Sequence, residues 1–118
     1  MAPLSAGDIV IVNWRGDALP KEPNKPRLAV VVQDETLFAP DFPNVLLVPL
    51  SDDETLATPG LTEPIAPSPE NGCTKPCFAI LPFVASTSMA RIRPTSSRIT
   101  AAQLARIRRQ VAEAIGLG

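Results

Sequence analysis

Lys25-Pro26-Arg27-Leu28-Ala29-Val30-Val31-Val32-Gln33 is the stretch on which the reading of this chain turns. A proline, which fixes φ and brings no N–H, is followed by a basic residue and then by an unbroken aliphatic run. The β-branched valines are stiff at χ1 and favour extended backbone, so Leu28 to Gln33 is predicted to be a central strand.

Working outward, residues 8–14 (Asp-Ile-Val-Ile-Val-Asn-Trp) are rich in β-branched residues and too short for a free-standing helix. They read as a first strand after a turn at Gly7. Residues 15–27 hold Gly16, Pro20, Pro23, Pro26 and several charges, which makes a surface loop of about a dozen residues, a length that is uncommon and often functional in a compact domain. Residues 34–44 form a polar, proline-containing connection. Val45 to Leu50 is a third buried strand, ending at Ser51-Asp52-Asp53-Glu54. Within the Pro-, Gly- and Ser-rich segment 57–76, Leu61 to Ala66 makes one short strand and Asn71-Gly72 a turn. Cys77 to Val84 is a further strand, broken or bulged near Pro82. Residues 85–99 are small, polar and basic, with Arg91, Arg93 and Arg98.

The segment from about 101 to 115 is a helix. Thr100-Ala-Ala-Gln103 fits a capping box, in which the Thr hydroxyl and the Gln amide satisfy free backbone donors. Leu104, Ile107, Val111 and Ile115 fall on one face, which packs on the sheet, and Gly116 supplies the stop. Arg106, Arg108, Arg109 and Glu113 lie mostly elsewhere, as a solvated face or an RNA grip.

Composition narrows the functional classes. The chain has 118 residues, 14 of them proline, with one Trp, four Phe, no Tyr and no His. That length holds one domain and one core, residues 1–118, and the core must be aliphatic. Prolines cluster between the apolar runs, as short strands joined by stiff loops require. Strands within 8–84 followed by one helix favour a small, curved β-barrel with the helix laid across it; a parallel α/β sheet would need helices between the strands.

The net charge of −1 announces no global nucleic-acid affinity, so any RNA site must be a local patch. Without histidine there is no Ser-His-Asp or Cys-His relay, and Cys73 and Cys77 alone cannot complete a zinc site. They read as small half-buried thiols in a reducing compartment or as a redox pair. Neither a phosphate loop nor a GxGxxG is present. No secretory pattern and no membrane-length apolar run occurs, so the protein is expected in the cytoplasm.

These features, in this order, resemble the MazF/PemK family of toxin ribonucleases. Gly7-Asp8-Ile-Val-Ile-Val, then a variable loop, then Lys25-Pro26-Arg27 and its aliphatic strand match the family's opening. Val45-Leu-Leu-Val-Pro-Leu-Ser51 resembles the strand that ends in a small hydroxylated residue. Gly72-Cys-Thr-Lys-Pro-Cys77-Phe-Ala-Ile-Leu81 is similar to the later glycine–basic–strand segment, and Ala114-Ile-Gly-Leu117 to the usual ending. The resemblance implies a small SH3-like barrel of the MazF/PemK/CcdB type, a homodimer, and a cognate antitoxin as partner. It implies no cofactor and no metal. The activity implied is cleavage of single-stranded RNA by attack of the ribose 2′-OH, leaving a 2′,3′-cyclic phosphate and a 5′-OH.

On that resemblance Arg27, Ser51 and Glu22 are the candidate catalytic residues, and Arg15, Lys25 and Trp14 the candidate RNA-binding ones. A guanidinium at Arg27 is always charged and forks onto two phosphate oxygens. Ser51 can donate to the same phosphate or orient the nucleophile, Glu22 can orient Arg27 or move a proton, and Trp14 can stack a base. Each has a plainer reading: a surface arginine at a strand start, a turn serine, a loop glutamate, solvated charges, a core or dimer-interface Trp. Leu28 stands where relatives carry Pro. Pro82-Phe83 stands where many carry an acidic residue and Gln, which leaves the general base unassigned; Asp52, Asp53 and Glu54 are substitutes adjacent to Ser51 in sequence. Two alternatives keep the barrel without the chemistry: a CcdB-like gyrase-binding toxin working through the terminal helix, and a non-catalytic barrel that binds a protein partner.

Overall fold

The computed structural model describes residues 4–13 and 26–117. Seven strands, β1 (Asp8–Asn13), β2 (Pro26–Val31), β3 (Asn44–Ser51), β4 (Thr62–Ile65), β5 (Cys77–Ile80), β6 (Ala85–Ser88) and β7 (Ile92–Arg98), precede one helix, α1 (Ala101–Ala114). All pairings are antiparallel, in the order β4-β5-β3-β2-β1-β7, with β6 also against β3.

The expected closed barrel is not what forms. β4 and β7 end the strand path without pairing to each other, and the sheet is curved and open. The physical reason lies in β3, which has different partners along one edge. Its first half, Asn44 to Leu47, pairs with β6, and its end, Leu50 and Ser51, pairs with β5. Val48 and Pro49 stand between. On the opposite edge Ala29, Val30 and Val31 pair with Pro49, Val48 and Leu47. Val32 N–H donates to the Leu46 carbonyl at 3.1 Å, so residues 46 and 48 turn their backbone groups to β2. Pro49 therefore points its missing donor at the place where β3 changes partner, the one place a central strand tolerates it.

Both faces of the sheet are covered, which is why the central strands are near-continuous apolar runs. On one face Ile9, Val30, Val48, Leu50, Ile65 and Leu81 pack with Ile107 of α1. On the other, Val10, Val12, Ala29, Val31, Val45 and Leu47 pack with Leu4, Met89 and Ile92. Adjacent residues of β1, β2 and β3 thus belong to different clusters, and a one-residue slip would exchange them.

The helix begins as the sequence predicts: Thr100 Oγ1 accepts from Gln103 N–H at 3.1 Å, and Thr100 N–H donates to Gln103 Oε1 at 2.8 Å. It ends at Ala114. Gly116 takes φ 93°, and the Gly116 and Leu117 amides close back onto Glu113 and Ala112, a Schellman motif. Ile115 therefore lies beyond the helix and is 67% exposed, so the packed stripe is buried Ile107 flanked by partly buried Leu104 and Val111.

The break expected near Pro82 is present, and one other feature departs from the sequence reading. Cys77 to Val84 divides at Pro82 into β5, a 3₁₀ turn (Leu81–Phe83), and β6 at Ala85. Segment 85–99, whose residues carry no apolar alternation, is strand after all: β6 and β7 form because β3 and β1 leave edges open to them. Two of the helix arginines, Arg106 and Arg108, are structural. Arg106 Nε meets Glu63 Oε2 of β4 at 2.8 Å, and Gln110 Nε2 reaches Glu63 Oε1 at 3.3 Å. Arg108 donates to the Val32 and Gln33 carbonyls at 2.9 and 2.7 Å, capping the end of the β2 ladder. No helix among the described residues is long and apolar enough to cross a membrane.

Ile107 is wholly buried between α1 and the sheet. Ile107→Ala is expected to cost about 2–5 kcal/mol, the usual range for emptying such a site. Urea denaturation followed by circular dichroism should show the midpoint fall with the slope unchanged.

Candidate functional site: a pocket at the start of β2 and the end of β3

The partner change on β3 opens the sheet at one corner. The pairing of Ala29 with Pro49, continued by two residues, brings the first residue of the aliphatic run's basic lead, Arg27, beside Ser51. Both follow the parity of Ala29, Val31 and Leu47, at the end of the second core cluster. A pocket of about 340 Å³ lies there, lined by Arg27 and Leu28, by Leu50, Ser51 and Asp52, and by the loop and strand start from Gly72 to Cys77. Segments distant in sequence meet at it.

Arg27 is half-buried, and its Nη2 makes a long contact of 3.5 Å to the Leu50 carbonyl. Burial lowers its pKa, while Asp52 and then Asp53 pull the other way. An arginine remains charged through such a shift, so a partly desolvated cation faces the pocket. Ser51 is buried, and its Oγ accepts the Asp53 N–H at 3.0 Å. That is the turn role expected of a serine after a strand. A hydroxyl that accepts once still has its own proton to give, so the turn role and a role in the pocket coexist.

Asp52 follows Ser51 and meets Lys75 Nζ at 2.6 Å. The Lys75 hydrogen bond holds the Asp52 carboxyl below the usual carboxylate range, and the same contact raises Lys75. Of the acidic residues near Ser51, Asp52 lines the pocket; Asp53 caps the 3₁₀ turn Glu54–Leu56 by accepting from Thr55 N–H at 3.0 Å. Pro82 and Phe83 sit in the turn after β5 and do not line it.

The loop carrying Lys75 is built on a buried side chain. Asn71 Nδ2 donates to the Ala66 carbonyl at 2.8 Å, and its Oδ1 accepts the Ser68 and Cys73 amides at 3.0 and 2.9 Å. Gly72 follows at φ 66°, a left-handed conformation that favours glycine, and a Cβ there would lie 2.6 Å from Ser97 Oγ of β7, which would have to move. Cys73 and Cys77 are free thiols. Burial first, and then the Cys73 hydrogen bond, push the Cys77 thiol up to about 12. Among the described residues no group of three or more His, Cys, Asp or Glu side chains is placed to hold a metal ion.

Of the residues singled out from sequence, the structure brings Arg27 and Ser51 together. Trp14, Arg15, Glu22 and Lys25 lie outside the described residues. Sequence reading missed Lys75 and Asn71 as parts of the site. The Asn-Gly dipeptide signalled a turn, and nothing local signalled a side chain buried at the floor of that turn.

This curved, open antiparallel sheet with one C-terminal helix has the fold of solved MazF-type toxins. It superimposes on the Mycobacterium tuberculosis toxin MazF-mt6 with a TM-score of 0.71 at 16% identity, covering 94% of this chain and 98% of that one. An endoribonuclease in complex with its cognate antitoxin, from a mycobacterial species, matches with a TM-score of 0.71 at 17% identity over 99% and 98% of the two chains. A further mycobacterial endoribonuclease gives 0.72 at 14% identity over 99% and 95%. No curated protein has a sequence that matches this one. Residues 5–115 match the model of the PemK-like, MazF-like toxins of type II toxin–antitoxin systems, and the chain belongs to that family.

Two outcomes follow from this geometry. Asn71→Ala leaves two partly buried amide donors, those of Ser68 and Cys73, without their acceptor and is expected to cost about 1–3 kcal/mol. Hydrogen exchange at the Ser68 and Cys73 amides should accelerate in step. The raised Cys77 thiol should be alkylated by iodoacetamide at pH 8 at least about a hundredfold more slowly than an ordinary cysteine, because the thiolate is the nucleophile. Its rate should climb about tenfold per pH unit until the pH approaches the thiol's own pKa.

Proposed function

We propose that the protein is a toxin of a type II toxin–antitoxin system that cuts single-stranded RNA at the pocket where β2 begins and β3 ends. The observation that carries this reading is Arg27, a half-buried cation on the wall of a concave site beside the Ser51 hydroxyl. A charge held partly out of water gains most from an anionic partner, and an RNA phosphate offers two oxygens to its fork.

The reaction is attack of the ribose 2′-OH on the adjacent phosphate, leaving a 2′,3′-cyclic phosphate and a 5′-OH. It needs charge stabilisation on the phosphorane, removal of the 2′ proton and delivery of a proton to the leaving oxygen. Arg27 stabilises the charge and Ser51 donates to the same phosphate. Glu22 is proposed to orient Arg27 or move a proton, and Arg15, Lys25 and Trp14 to bind the RNA. Asp52 is the carboxylate that lines the pocket, and Lys75 beside it is a cation for a flanking phosphate. No bound cofactor is required by this scheme.

The proposed partners are mRNA, a second copy of the chain, and an antitoxin that fills the pocket, and the proposed compartment is the cytoplasm. The near-neutral net charge is compatible with such a protein, because a local pair of cations at the pocket, Arg27 and Lys75, needs no basic surface overall.

Arg27→Ala is expected to lower cleavage of single-stranded RNA by about 10²- to 10³-fold, with far-ultraviolet dichroism unchanged. Arg27→Lys should restore part of it, since the charge returns without the fork. Mapping RNA ends after brief expression of both forms reads the result. An Arg27→Ala protein that cuts as wild type does would end this assignment.

A further inference from the structure

Cys73 and Cys77 stand on the same pocket wall as Arg27, Ser51 and Lys75. Their sulfurs are 3.6 Å apart. That is near van der Waals contact, about 1.5 Å beyond a disulfide bond. Both residues are anchored from outside the segment that joins them. The Cys73 N–H is held by Asn71 Oδ1 at 2.9 Å, and Cys77 opens β5 in register with Ile65. The thiols have only weak partners of their own, the Asn71 carbonyl at 3.8 Å and the Ile65 carbonyl at 3.9 Å. Between them Thr74, Lys75 and Pro76 are exposed. Two sulfurs are thus preset to meet, and the link between them lies at the surface, held there by the Lys75–Asp52 ion pair.

We propose that Cys73 and Cys77 are a dithiol–disulfide pair whose reversible oxidation reshapes this wall of the pocket. With a low-molecular-weight disulfide such as oxidised glutathione, the Cys73 thiolate attacks one sulfur. A mixed disulfide forms and one glutathione leaves as thiolate, taking up the proton that Cys73 lost. Cys77 then gives up its proton and attacks the Cys73 sulfur, closing the internal bond and releasing the second glutathione. Two protein thiols are oxidised and one glutathione disulfide is reduced to two thiols. The closing step is intramolecular between groups already in contact, which offsets the protonated state in which burial keeps Cys77. Closure draws in the segment that carries Lys75, and with it the ion pair to Asp52 next to Ser51. The consequence for RNA rests on the function proposed above.

The test equilibrates the full chain in reduced and oxidised glutathione, quenches it with alkylating reagent, and reads the intact mass. In oxidised buffer wild type should lose two hydrogens and take no alkyl group, and dithiothreitol should reverse it. Cys77→Ser should stop with one glutathione attached. Two alkylatable thiols under oxidation, or a separate glutathione on each cysteine, would overturn the disulfide. The amide resonances of Lys75 and Asp52 should differ between the two forms; coincident spectra would overturn the reshaping. RNA cleavage should fall about tenfold or more on oxidation, and in Cys73→Ser it should be the same in both buffers. Equal cleavage by both wild-type forms would overturn control of the site. If the reduced protein cuts no RNA, the ribonuclease reading fails, while mass and resonances still decide the disulfide.

Discussion

The rest of the structure depends on how β3 shares its backbone. One edge of it is committed to β2 at Val48, with Leu46 bonded just beyond. The other edge is divided between β6 and β5, and the division falls at Pro49, whose ring nitrogen has no proton to donate. A strand with a full donor set there would have room for one continuous partner and a flatter sheet. Instead the sheet opens at the corner, β5 peels away with β4, and a pocket forms between the start of β2 and the start of β5. The pocket is a consequence of backbone hydrogen bonding before it is a matter of side chains.

Polar side chains then hold that corner in place. Asn71 satisfies three backbone groups from a buried position and so sets the path of the loop behind the pocket. Glu63, buried on β4, is kept by Arg106 and Gln110 of the helix, which ties the peeled pair of strands to α1. Arg98 does similar work at the far edge, reaching the Ala6 carbonyl at 3.2 Å and Asp8 at 3.6 Å. Several of the chain's arginines are therefore committed to the fold. Among the described residues the cations that face the pocket are Arg27 and Lys75, and their value lies in position, since exposed ion pairs such as Lys75–Asp52 contribute little to stability.

Much of this architecture was legible in the residues. The aliphatic runs of β1, β2 and β3 carry enough β-branched side chains to declare themselves, and the capping box of Thr100 and Gln103 is a purely local signal. β6 and β7 were not legible. Ser86, Thr87, Thr95, Ser96 and Ser97 have no apolar period, and they are strand because β3 and β1 offer them an edge. The same limit applied to the arginines of α1: periodicity places Arg106 and Arg108 off the apolar stripe, yet only the packed sheet presents Glu63 and the end of β2 to them.

The sequence by itself determined the central strands, the terminal helix and the absence of any histidine chemistry. These are properties of near neighbours in the chain or of what the chain does not contain. Only the tertiary structure decided that the sheet stays open, that Arg27 and Ser51 line one pocket, that Asp52 pairs with Lys75, and that two sulfurs come within 3.6 Å. Each of these is set by strand register and by where Pro49 interrupts it, and register is a relation between segments that no single stretch of sequence contains.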